Sequence, residues 1–197
     1  SCNACIEDDP RRAAILRYRL DGSGEEVFAT GLRNSVGFDW RSETGEMFAT
    51  DNGRDLLGDD FPPCELNLIE RGQFYGWPVA NGDRVPDPDF GAGRDADIAR
   101  TRPPAFAFGA HNAPLGITFI RSPAAPKALR GAAIVALHGS WNRTRKAGYK
   151  VVALFWDERG SVRQEDVLVG FEVGEDVVGR PVDVVEGVDG AIYVSDD

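Results

Sequence analysis

The stretch Thr30–Asp55, TGLRNSVGFDWRSETGEMFATDNGRD, decides the fold. Apolar residues alternate through Ser35–Trp40, a Glu43-Thr44-Gly45 turn follows, and alternation resumes at Met47. That is the pattern of a β-hairpin. The polar residues sit outside the two strands. Arg33 and Asn34 precede the first strand, and Asp51-Asn52-Gly53-Arg54-Asp55 follow the second. An antiparallel pair returns the chain to the end from which it set out, so the spacing places Arg33 and Asp51 together.

The same plan recurs along the chain. AAILRYRLDGSGEEVFAT (13–30) reads as strand, Asp-Gly-Ser-Gly turn, strand. ELNLIE, LGITFI, GAAIVALHGS and GYKVVALFWDERGSVRQEDVLV are further strand signals, as is PVDVVEGVDGAIYVSDD at the end. No segment carries a sustained 3.6-residue period, and Pro10 argues against a helix in IEDDPRRAAILRYRL. A unit of polar opening, strand, turn, strand and polar end appears from Arg33, from Asn112 and from Arg180, its starts roughly 65 to 80 residues apart. Four short antiparallel strands per unit, repeated radially, is the plan of a β-propeller. A β-sandwich is the rival, but it does not predict polar clusters at the same point of each unit. The fold class expected is therefore all-β, a six-bladed propeller of which these residues cover about three blades. Asn81–Ala110, rich in Pro and Gly, reads as an irregular excursion.

Composition narrows the function. The 197 residues carry a net charge of −10, which argues against a nucleic-acid surface, because phosphate binding needs clustered positive charge. No run of about 18 apolar residues is present, so no membrane span is expected. The chain opens on SCNACIEDDP without Met and closes on AIYVSDD, and reads as one propeller domain cut at both ends. Of three cysteines, Cys2 and Cys5 form Cys-x-x-Cys. A short disulfide in an exported protein is the plainest reading; a redox motif or a metal site lacks its usual second half. Cys64 reads as a small apolar residue.

In a propeller the polar ends of the units share one surface around the channel. Arg33, Asn34, His111, Asn112, Trp141, Asn142, Arg143 and Arg180 fall there, a set of planar donors with one aromatic ring and one imidazole. Arginine forks suit carboxylates, although single arginines more often pair with surface acids. TDNGRDLLGDD (50–60) is oxygen-rich and suits a hard cation such as calcium, or a plain Asx turn. RGQFYGWP (71–78) reads as a clamp between blades sooner than as a ring-stacking platform.

Together GLRNSVGFDW, TDNGRDLLGDD, ELNLIERGQFYGWP, HNAPLG, HGSWNR and GRPVDVVEGVDGAIYVSDD resemble the pyrroloquinoline quinone (PQQ)-dependent soluble sugar dehydrogenases, in the sorbosone dehydrogenase-like branch. The resemblance implies a six-bladed propeller, PQQ over the channel, a calcium ion between cofactor and protein, and oxidation of an aldose or related polyol or aldehyde by hydride transfer. It places Arg33, Asn34, His111, Trp141, Asn142, Arg143 and Arg180 against the cofactor, and the main-chain oxygens of Gly53 and Arg54 on calcium. The general-base histidine of the family comes from an earlier blade, so neither His111 nor His138 takes that role. Three departures stand out: Cys64 where relatives carry a carboxylate, Ser35 where many have Pro, and Val182 where soluble glucose dehydrogenase has a second Arg. The resemblance also implies a periplasmic or secreted location. Neither the particular sugar nor the physiological electron acceptor is written in these residues. A calcium-dependent propeller hydrolase, such as a lactonase, and a non-enzymatic carbohydrate-binding propeller are the competing readings.

Overall fold

The computed structural model describes residues 2–197. Among the described residues it is all-β, with one short α-helix and a 3-10 turn at Lys127–Leu129. The elements in chain order are β1 (Ala14–Arg17), β2 (Glu26–Thr30), β3 (Ser35–Trp40), β4 (Met47–Asp51), β5 (Pro63–Ile69), β6 (Ala80–Asn81), β7 (Val85–Pro86), α1 (Asp95–Ala99), β8 (Phe106–Ala110), β9 (Pro114–Phe119), β10 (Ala133–Leu137), β11 (Lys150–Trp156), β12 (Val162–Leu168), β13 (Glu172–Val173), β14 (Asp176–Val177), β15 (Pro181–Glu186) and β16 (Ile192–Asp196).

Two four-stranded antiparallel meanders form complete blades, β3-β4-β5-β8 and β9-β10-β11-β12. The hairpin β1-β2 packs on one side of this pair and β15-β16 on the other. The chain is thus a row of propeller blades, as the repeat predicts. Asn81–Ala110 departs from expectation at its end. Phe106–Ala110 is not irregular: it is β8, the fourth strand of a blade, paired with Pro63–Leu66. The rest of that segment holds the β6-β7 ribbon and α1.

Period-two alternation gives each blade two apolar faces, and each face has its own core. In β10, Ala133, Val135 and Leu137 face Phe48, Leu66 and Phe108 of the preceding blade. The alternate residues Ile134 and Ala136 face Val184 of the following hairpin. Ala29, Leu32, Met47, Ala49, Ile69 and Tyr75 fill the interface on the other side of the first blade. The Arg71–Pro78 segment is a clamp there. Its backbone runs beside β2, with Thr30 N–H donating to the Gln73 carbonyl at 3.1 Å and Tyr75 N–H to the Thr30 carbonyl at 2.9 Å.

The inner strands β3, β9 and β15 lie side by side, and glycine sets their spacing. A Cβ on Gly37 would meet the Leu115 carbonyl oxygen at 2.4 Å, and one on Gly116 would meet Asp183 Cα at 2.6 Å. Contacts advance in the same sense along each strand: Asp39 accepts from Phe119 N–H at 2.8 Å, further along than the Gly37–Leu115 approach. The three strands therefore run parallel from one common mouth. Arg33, His111 and Arg180, which precede them, are brought to that mouth.

Candidate functional site

Asp51 ends β4 opposite Ser35 on β3. Its carboxylate turns back onto the entry to β3, where it accepts from the amides of Arg33 (3.0 Å) and Asn34 (2.6 Å). That is why an acid stands at this end of the hairpin: it satisfies two backbone donors and fixes the Arg-Asn pair. Glu65 is its cross-strand neighbour on β5. Both carboxyls are buried, and desolvation pushes Asp51 up to about 7 and Glu65 up to about 8, with the Asp51 charge adding to the rise at Glu65.

The mouth holds a cleft of about 270 Å³. Arg33, Asn34, Gly53, His111, Trp141 and Asn142 line it, so the structure brings together six of the residues singled out from sequence. Asn52, Asp55, Cys64, Ala113 and Gly139 complete the wall. The Arg54 side chain turns away and lies buried, its Nη1 donating to both carboxylate oxygens of Asp87 (2.7 and 2.9 Å) while its Nη2 donates to Asp89. Arg143 does not line the cleft. It braces the rim, donating to the Asp59 carbonyl at 2.7 Å and to the Asp60 carboxylate at 2.8 Å. Arg180 also lies outside the lining, its guanidinium 5.1 Å from the centre of the Tyr149 ring.

Arg33 uses its full fork. Nε donates to the Asn3 carbonyl (2.9 Å), Nη1 to the carbonyls of Asn52 (3.2 Å) and Gly53 (2.8 Å), and Nη2 to Asn3 Oδ1 (3.2 Å) and Asp55 Oδ2 (3.1 Å). All five of its N–H groups meet acceptors of the protein itself. His111 is buried, with φ of 63° in the left-handed region that side chains rarely adopt. Its Nε2 donates to the Gly58 carbonyl at 2.8 Å, since a carbonyl only accepts. Trp141, also in the lining, is 70% exposed.

Oxygen predominates in the cleft. The Asn52 and Gly53 carbonyls already hold a cation, the Arg33 guanidinium. Asn52 Oδ1 and Asn142 Oδ1 are buried acceptors with no partner among the described residues. Asn52 Nδ2 donates to Asn34 Oδ1 at 2.9 Å and also faces the Asn34 backbone carbonyl at 3.4 Å, which can only accept and so sets the orientation of the Asn52 amide. Orphaned acceptors beside two carbonyls and the Asp55 carboxylate fit a hard cation. The exposed Trp141 and the amides of Asn34 and Asn142 would be the groups available to a flat ring ligand in this cleft. Cys2 and Cys5 are disulfide-bonded, so they make no metal site with the nearby Glu7. Cys64 is buried and its thiol is pushed up by burial, as a quiet apolar residue would be. Asn3, Asn52 and Asp55 were not singled out from sequence. Asn52 and Asp55 lie inside the oxygen-rich run, whereas nothing in Cys-Asn-Ala-Cys marks Asn3. A larger cleft of about 520 Å³ lies between β1-β2 and the first complete blade, but its lining is mainly apolar.

The family model described as Glucose / Sorbosone dehydrogenase matches residues 16–197. The chain belongs to the glucose/sorbosone dehydrogenase family. An uncharacterized protein of Borreliella burgdorferi is 37% identical over 191 residues, which are 95% of this chain and 50% of that protein. Among solved structures, the holo form of the pyranose dehydrogenase PQQ domain from Coprinopsis cinerea superposes with a TM-score of 0.78 at 23% identity, over 100% of this chain and 62% of that one. The calcium structure of a Trichoderma reesei carbohydrate-active enzyme of family AA12 superposes with a TM-score of 0.72 at 24% identity, over 86% and 50%. The chain spans about half the length of the curated relatives it matches. No helix among the described residues is long and apolar enough to cross a membrane.

Proposed function

We propose that these residues form the cation- and cofactor-facing part of a quinoprotein sugar dehydrogenase, a six-bladed propeller of which this chain is one part. The observation that carries the reading is the convergence, at one hairpin end, of Arg33 and Asn34 with the Asn52 and Gly53 carbonyls and two orphaned amide oxygens. Membership of the glucose/sorbosone dehydrogenase family gives that arrangement its chemistry. PQQ, when bound, supplies the hydride acceptor for an aldose or related aldehyde, and calcium supplies Lewis-acid polarisation of its carbonyl. The chain's own part is positioning. The unpartnered side-chain oxygens of Asn52 and Asn142 would hold the cation with the Asp55 carboxylate and the Arg54 main chain beside them, and the Gly53 carbonyl would join them once Arg33 releases it. Trp141 offers a flat face, and Asp51 locks Arg33 and Asn34 at the mouth. No described residue is assigned as the general base. The Cys2–Cys5 disulfide supports an exported, periplasmic or secreted protein.

The filled fork of Arg33 favours one second reading, a calcium-dependent hydrolase of the lactonase type, which uses the cation and no quinone. Reconstituting the full-length protein with PQQ and calcium and supplying an artificial electron acceptor separates the two. The dehydrogenase reading expects dye reduction with at least one member of an aldose and aldehyde panel, dependent on both additions. Lactone hydrolysis with calcium alone and no dye reduction across the panel refutes it.

A further inference from the structure

The N-terminal Cys2–Cys5 loop hydrogen-bonds to the site through Asn3. Asn3 donates from Nδ2 to the Asp55 carbonyl at 3.0 Å, and its Oδ1 accepts from the Asp55 amide at 2.7 Å. This side-chain amide pairs with both backbone groups of Asp55, as a neighbouring strand would. The same Oδ1 accepts from Arg33 Nη2 at 3.2 Å, and the Asn3 carbonyl accepts from Arg33 Nε at 2.9 Å and from Trp77 Nε1 at 3.4 Å. Asn3 stands 30 positions from Arg33 and 52 from Asp55. No neighbouring element of secondary structure holds it there. A disulfide across three positions does, since it closes Cys2 to Cys5 with Asn3 inside the ring.

We propose that Asn3, presented by the Cys2–Cys5 loop, is a positioning residue that ties Arg33 to the Asn52–Asp55 loop and so sets the spacing of the loop carbonyls. The Asp55 amide and carbonyl find their partners in Asn3, and the nearby carbonyls of Asn52 and Gly53 accept from Arg33 in the lining of the cleft. Without the Asn3 amide, Asp55 loses both backbone partners and Arg33 Nη2 loses one of two acceptors. The loop then samples other arrangements, and a cation that needs several oxygens at fixed distances binds less tightly. The inference rests on the proposed function only for this last consequence. The geometric claim stands on the contacts themselves.

The test uses the full-length protein without added metal or cofactor, and compares wild type with Asn3→Ala, Asn3→Asp and the Cys2→Ser/Cys5→Ser double variant by amide hydrogen exchange. The expected result is exchange at Asn52–Asp55 at least tenfold faster in Asn3→Ala and in the double variant, with β4 and β5 amides unchanged. Asn3→Asp keeps the acceptor for the Asp55 amide and for Arg33, and retains protection at Asp55. Unchanged loop exchange in Asn3→Ala overturns the proposal. So does equal loss in Asn3→Asp, or a rise spread through β4 and β5, which signals general destabilisation. Calorimetric titration with calcium alone then reads the consequence, an affinity about tenfold weaker in Asn3→Ala. Absence of calcium binding by wild type counts against the proposed function, while the exchange result still decides the role of Asn3.

Discussion

Replacing Glu65 with Gln tests the electrostatics beneath the site. Glu65 is buried on β5; its Oε1 accepts from Gly82 N–H at 2.9 Å, and Asn67 Nδ2 is placed 3.0 Å from its Oε2. Asn67 is fully buried, yet its Oδ1 has no partner among the described residues. Turning the Asn67 amide over lets a protonated Glu65 donate to that oxygen, a bond the ionised carboxylate cannot make, with Nδ2 then taking the unpartnered position. Burial and the neighbouring Asp51 push Glu65 from an ordinary 4.5 up to about 8. Between those values the folded chain keeps a proton that the unfolded chain has released. Stability therefore falls as pH rises through this window, and the loss is complete above about pH 8. Each pH unit costs about 1.4 kcal/mol, so over the window the total is about 5 kcal/mol. Glu65→Gln keeps the Gly82 contact and donates to Asn67 at every pH. The variant is expected to match wild type near pH 5 and to exceed it in stability near pH 8, with a flatter profile between. The assay is urea unfolding at half-unit pH steps in EDTA, which keeps calcium out of the comparison. Parallel profiles for the two proteins would refute the reasoning, as would stability that rises from pH 5 to pH 8.

Other outcomes follow from the same contacts. Asp51→Asn replaces one of two acceptors facing the Arg33 and Asn34 amides with a donor, and is expected to cost about 1–3 kcal/mol in thermal unfolding. Gly116→Ala puts a methyl against the Asp183 backbone and should lower stability by a similar 1–3 kcal/mol, whereas Ala at the open Gly160 turn should do so through its positive φ alone. Arg54→Met strands Asp87, which still accepts from Asn81 and two backbone amides; the expected cost is about 3 kcal/mol, recovered in part by adding Asp87→Asn.

The hairpins and their order were legible because period-two alternation and turn residues are local. So was the arrival of Arg33 beside Asp51, since an antiparallel return needs nothing from elsewhere in the chain. β8 was hidden for the opposite reason: Phe106–Ala110 is a short run behind a Pro-rich segment, and only pairing with β5 across about 40 residues makes it a strand. Arginine partners were equally out of reach. The spacing that brought Arg143 and Arg180 to the mouth did not show that one would brace the Asp59–Asp60 rim and the other lie over Tyr149. Asn3 illustrates the limit best. Its partners are 30 and 52 positions away, and a Cys-x-x-Cys motif draws the eye to its sulfurs and away from the amide between them.

In the proposed function, one hairpin end would hold a cation and an anionic quinone together. Titration of PQQ into the full-length protein, followed by cofactor absorbance with and without calcium, tests it most directly. Saturable binding that requires calcium and weakens at least tenfold in Arg33→Ala is expected. Binding that ignores calcium, or is unchanged in Arg33→Ala, would contradict it.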